Sequence, residues 1–137
     1  MTRLLGFYAS LLFLAPHVSA QSFPTISFGT ATTCENNEYK YEWYVWLQSR
    51  DPCLDWRPLG PTALRSPCGS NFGWEDIGHF VFTDCDTESD LPRGITWVEE
   101  GMTAQCVGDT QLQRSCDAPW CGAGQVVNIT TLQVCTR

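Results

Sequence analysis

His79 is the only histidine after residue 20, and Glu75 and Asp76 lie just before it. A histidine oriented by a carboxylate can serve as a general base, but base chemistry needs a nucleophile or an activated water beside it. The chain has no Gly-x-Ser-x-Gly elbow, so His79 reads as a rim histidine on a sheet and no catalytic residue is assigned. Asp84, Asp86, Glu88 and Asp90 recur at every second position, a spacing that can ligate calcium. They lack the central glycine and closing glutamate of an EF-hand and read as a solvated turn. Among the cysteines only Cys116 and Cys121 lie close together, and with a single candidate histidine they make a poor zinc signature. The sequence asks for no metal and no cofactor.

All eight cysteines fall after residue 20: Cys34, Cys53, Cys68, Cys85, Cys106, Cys116, Cys121 and Cys135. Met1 to Arg3 is a short positive start, Leu4 to Ala15 is apolar, and Val18-Ser19-Ala20 offers small residues for cleavage before Gln21. That is the pattern of an export signal over residues 1–20, too short to span the roughly 30 Å of bilayer hydrocarbon. An even cysteine count in a small exported chain reads as four disulfides, with connectivity left open by spacing alone. The expected mature chain, 21–137, is secreted, has no membrane span, and carries seven bases against fifteen acids, net −8. Such acidity excludes a nucleic-acid partner, which needs clustered Lys and Arg. Asn128-Ile129-Thr130 is an acceptor for N-glycosylation at Asn128.

The elements that must position these residues are strands. Tyr39 to Gln48 alternates: Tyr39, Tyr41, Trp43, Val45 and Leu47 form a wholly apolar set, and Lys40, Glu42, Tyr44, Trp46 and Gln48 a mixed one. The apolar set is the expected inward face. Glu42, Tyr44 and Trp46 are then left on an outward, candidate binding surface. Phe23–Thr33, Gly78–Thr83, Ile95–Val98 and Gln125–Val134 read as further strands, with Gly29 marking a bulge. Asp55 to Pro67 holds three prolines and reads as an ordered loop. The expected fold is all-β: one small disulfide-stapled antiparallel barrel or sandwich.

Several features in order resemble the secreted fungal β-barrel family named for the major allergen of Alternaria. They are the Cys53–Cys68 spacing, the Cys68-Gly69 turn, the aromatic strand Phe80-Val81-Phe82, the strand Ile95-Thr96-Trp97-Val98, and Cys106 and Cys116 before a final β-rich run, Val127 to Val134. The resemblance implies a barrel with Cys53–Cys68 and Cys106–Cys116 bonded and, with those pairs, Cys34–Cys135 and Cys85–Cys121. The chain departs from the pattern in a slightly short 106–116 loop and in Cys34, Cys85, Cys121 and Cys135, which the pattern does not need. The leading cysteine that links the family's dimers has no counterpart, and the oligomeric state stays open.

The function these features point to is binding without catalysis. The resemblance implies a secreted effector or elicitor, with a host extracellular protein or a small apolar ligand as partner. Two other classes compete. A carbohydrate-binding protein of the fungal wall would use exposed aromatics such as Trp46, and a small hydrolase would use paired carboxylates.

Overall fold

The computed structural model describes residues 21–35, 38–63, 66–109 and 113–137; the export signal expected over 1–20 lies outside them. The strands are β1 (Ile26–Glu35), β2 (Glu38–Leu47), β3 (Trp56–Pro61), β4 (Asn71–Trp74), β5 (Gly78–Cys85), β6 (Pro92–Trp97), β7 (Met102–Gly108), β8 (Gln113–Asp117) and β9 (Val126–Thr136). They form one antiparallel sheet in the order β3-β2-β1-β9-β7-β6-β5-β4, with β8 also paired to β9. The long β9 carries β1 on one side and, along the other, β7 at its C-terminal end and β8 at its N-terminal end. The all-β, disulfide-stapled barrel is thus what the chain forms. No helix among the described residues is long and apolar enough to cross a membrane.

The sheet curls until its two end strands meet. Arg57 of β3 bridges them, donating through Nε to the Gly73 carbonyl of β4 at 3.2 Å. Its guanidinium lies 5.7 Å from the centre of the Trp74 ring. Asp55, just before β3, holds this seam together: it accepts from Arg50 at 2.6 Å and from the Trp74 indole at 3.1 Å, and pairs with Arg57. Partial burial works against ionisation of Asp55, but Arg50, Arg57 and Trp74 outweigh it and hold the carboxyl below its ordinary range.

The barrel interior is packed with rings. Trp43, Phe28, Phe82, Phe72, Phe80 and Trp97 follow one another with centroids 5.0 to 5.9 Å apart. Offset and edge-on contacts of this kind add to the burial of the rings themselves.

A second, smaller core lies on the outside of the sheet. Ala31, Tyr44, Trp46, Val127 and Ile129 point away from the interior and are covered by Cys116 and Ala118, with Cys53, Trp56 and Cys121 against them. The cover consists of the loop after β2, strand β8 and a 3-10 turn, Pro119–Cys121. This corrects the expected binding surface. Tyr44 and Trp46 are 3% and 1% exposed, because β2 is buried on both faces where the cover lies. Five consecutive apolar residues, Trp43 to Leu47, are the signature of such a strand.

The disulfides join Cys34 to Cys121, Cys53 to Cys116, Cys68 to Cys85, and Cys106 to Cys135. None of the pairs implied by the family resemblance is formed: Cys53–Cys68, Cys106–Cys116, Cys34–Cys135 and Cys85–Cys121 are all replaced. Cys106 and Cys135 are register partners on β7 and β9, so the pairing is set by the sheet and not by short loops. Cys53–Cys116 and Cys34–Cys121 tie the outer cover to the barrel across separations of 63 and 87 residues. Loops of that length make each bridge worth about 4 kcal/mol on the chain-entropy account.

The 55–67 stretch is also corrected, since β3 occupies part of it. Pro58 and Pro61 are tolerated because β3 ends the sheet, where a missing N–H breaks no ladder. At Gly29 the expected bulge is present: Phe28 pairs with Gln133 and Gly29 with Thr131, leaving Leu132 as the extra residue. A Cβ at Gly29 would sit 1.9 Å from the Thr130 carbonyl oxygen, so only glycine allows this approach.

If the outer cluster is a true core, Trp46→Ala costs as much as Trp43→Ala, about 3–5 kcal/mol each, read from guanidinium unfolding midpoints. A Trp46→Ala protein as stable as wild type would contradict the two-sided burial.

Candidate functional site

The exposed aromatics of β2 lie at its other end and on its other face. Tyr39 and Tyr41 are 57% and 64% exposed, although they belong to the set expected to point inward. They continue the row of Trp43, Val45 and Leu47 past the last flanking pairs among the described residues, Glu42↔Pro61 and Ala31↔Ile129. The β1–β2 ribbon therefore projects past the barrel, its register running from Ile26↔Leu47 to Glu35↔Glu38. Two contacts brace the projecting end. Cys34, the register partner of Tyr39, is bonded to Cys121, and the Tyr39 hydroxyl donates to Gln125 Oε1 at 2.5 Å. Tyr41 is held through its backbone, whose carbonyl accepts from the Thr62 N–H at 3.0 Å. The result is a pair of rings two residues apart on one face, presented by a bridged hairpin.

Glu42, expected on the binding surface, has a local role. It is half-buried and accepts a hydrogen bond from the Tyr44 hydroxyl at 3.0 Å. Burial first, and then the Glu42 carboxylate, raise the Tyr44 phenol well above its ordinary range, so it stays a donor. Tyr44 also stacks on Trp56 with centroids 4.5 Å apart. The structure thus separates the three residues proposed from sequence from any solvent-facing aromatic surface, and supplies Tyr39 and Tyr41 instead. The signal available in the sequence was the charge of Glu38, Lys40 and Glu42, which alternate with the two tyrosines. A core strand seldom begins with such a run.

His79 is exposed at the start of β5 and held by Glu99, not by Glu75 or Asp76. Glu99 accepts the His79 backbone N–H at 2.8 Å and lies 2.5 Å from Nδ1. These bonds lower the Glu99 pKa, the backbone contact most. Asp76 is instead paired with Arg50. Asn128 is exposed on β9, as glycosylation requires, and its Oδ1 accepts from Ser115 at 2.7 Å. Among the described residues no group of three His, Cys, Asp or Glu side chains is placed to hold a metal ion.

In the acidic turn, Asp86 is an internal cap. It accepts the backbone N–H groups of Ser89 and Glu88, each at 3.0 Å, and the Ser89 hydroxyl, and it pairs with Arg93. Asp84 and Asp90 adopt the left-handed conformation, with φ of 54° and 58°, which Asp tolerates better than most residues. No protein-family model, curated protein or solved structure matches the chain.

The backbone donors of Ser89 and Glu88, with help from Arg93, lower the Asp86 pKa from 3.8 to about 2. A carboxylate depressed by folding stabilises the fold above its unfolded pKa, and that contribution is lost as the pH falls through its folded pKa. Asp86→Asn is therefore expected to flatten the stability curve between about pH 4 and pH 2, measured by urea midpoints across that range. An acid limb identical to wild type would contradict the capping role.

Proposed function

We propose that the protein is a secreted, effector-like binding protein. It acts outside the cell on a host protein without catalysis, through the Tyr39–Tyr41 face of the β1–β2 hairpin. The observation that carries this reading is the pair of highly exposed tyrosines on a braced, projecting ribbon. Aromatic side chains that are already ordered lose little entropy on association, and such residues are frequent interface anchors. The fifteen acids of the chain favour a basic partner. Of the two partners expected from sequence, a protein is the better match, because the barrel interior is occupied by its own rings. Four disulfides are the usual equipment of proteins that work outside the cell. Likeness to the Alternaria allergen family gives less support, since its anchoring Cys53–Cys68 bridge is not formed. A glycan on Asn128 would stand on the strand β9.

Retention of host extracellular proteins on the immobilised mature chain tests the reading. A basic protein is expected to be retained at low salt and released as salt rises. Replacing Tyr41 by Ser should weaken that retention about tenfold or more and leave the thermal midpoint in place. Equal retention by the Tyr39→Ser/Tyr41→Ser double variant, or turnover of a polysaccharide by wild type, would overturn it.

A further inference from the structure

A cleft of about 280 Å³ opens on the outer face of the sheet, where the outer cover meets the barrel. It lies at the opposite end of the β1–β2 ribbon from the exposed tyrosines, since Ser27 pairs with Trp46 and Thr32 with Tyr41. Ser27 of β1, Trp46 of β2 and Thr131 of β9 form its floor, and Arg50, Pro52 and Arg114 its walls. We propose that this cleft binds a single neutral polyhydroxylated ring, such as one hexose unit. This goes beyond the protein-binding role and does not depend on it.

Charge decides against an anion. Arg50 gives one terminal nitrogen to Asp55 and the other to Asp76, and Arg114 donates to Asp51 at 3.2 Å. Asp109 adds a further carboxylate to the lining. The guanidinium charges are therefore balanced within the site, and a phosphate or carboxylate finds no net attraction. What the cleft offers is a mixture of directional donors and acceptors. Arg114 brings N–H donors beyond the one it gives to Asp51, and Gln48 with the two hydroxyl residues can both donate and accept. Hydroxyls on a ring are matched by such a mixture, because each is also donor and acceptor.

The floor supplies the independent sign of a ligand. Thr131 is 1% exposed, and its hydroxyl has no hydrogen-bond partner among the described residues. Valine has the same shape without the unpaired group, so an unsatisfied threonine here costs stability unless something completes it. The bulge at Gly29 sets this position by shifting the register so that Thr131, not Leu132, lies across from Gly29. The walls are also prearranged: Cys53–Cys116 ties the Arg50–Pro52 loop to β8, and Asp55 with Asp76 fixes the Arg50 guanidinium. The volume lies just below the ~300 Å³ lower bound of ordinary ligand pockets, which limits the occupant to one ring.

Titration of the mature protein, followed by amide chemical shifts, tests the proposal. The probes are glucose, mannose, galactose, N-acetylglucosamine and inorganic phosphate, each to ~50 mM, enough to detect millimolar binding. At least one sugar is expected to shift the amides of Ser27, Gln48 and Thr131, with phosphate leaving them in place. Thr131→Val should weaken that sugar about tenfold with an equal or higher thermal midpoint, and Thr131→Ser should retain it. The Tyr41→Ser protein should bind the sugar as wild type does. An oligosaccharide of the same sugar that binds at least as tightly would identify a chain end as the natural source; loss of binding would identify the free sugar. No shift with any of the sugars, tighter binding of phosphate, or wild-type affinity in Thr131→Val would overturn the proposal.

Discussion

Burial of β2 on both faces is the constraint on which the rest of the molecule depends. A barrel needs only its inner face covered, but Tyr44 and Trp46 of β2, Ala31 of β1, and Val127 and Ile129 of β9 place an apolar patch on the outside. Left open, that patch would expose large rings to water. The chain covers it with a loop, a short strand and a single 3-10 turn. These pieces are too small to bury a core of their own. Covalent ties make up the difference: Cys53–Cys116 and Cys34–Cys121 fasten the cover at two places.

Two surface features follow from how the cover is attached. At one end of the ribbon the turn that brings Cys121 to Cys34 also brings Gln125 to the Tyr39 hydroxyl, so the projecting hairpin is braced. At the other end the loop fastened by Cys53 carries Arg50 and Pro52 over the sheet, and a polar cleft remains beneath it. Arg50 belongs to both the cleft and the barrel seam through Asp55, which also receives the Trp74 indole. A rigid wall for the cleft thus arises from the same contacts that close the barrel. The fold offers an exposed pair of tyrosines and a small polar cleft, separated along one strand pair.

Strand character was plain in the sequence where one rule dominated. Phe80 and Phe82 alternate as a half-buried strand should, and both face the interior. In β2 two rules competed. Alternation of the whole Tyr39–Gln48 segment pointed Tyr44 and Trp46 outward, while the continuous Trp43–Leu47 run indicated burial on both faces. The strand obeys the second rule in its latter half, and its beginning, with Glu38, Lys40 and Glu42 interspersed, runs out into solvent. Prolines hid β3, because an end strand accepts what an internal strand cannot. Disulfide pairing could not be read at all: Cys106 and Cys135 meet only once β7 and β9 are in register. The cleft was equally illegible, since Ser27, Arg50, Arg114 and Thr131 come from four separate stretches of chain.

Disulfide mapping under non-reducing conditions tests the attachment of the outer cover most directly. Trypsin should release Ser66–Arg93 as a separate, internally bridged peptide, because Cys68 is bonded to Cys85. Further cleavage before aspartates should yield Ser115–Cys116 bonded to Asp51–Leu54, the direct product of the Cys53–Cys116 bridge. Recovery of Ser66–Arg93 linked to the Cys53 peptide would contradict the account, because the outer cover would then have lost its tie to β8.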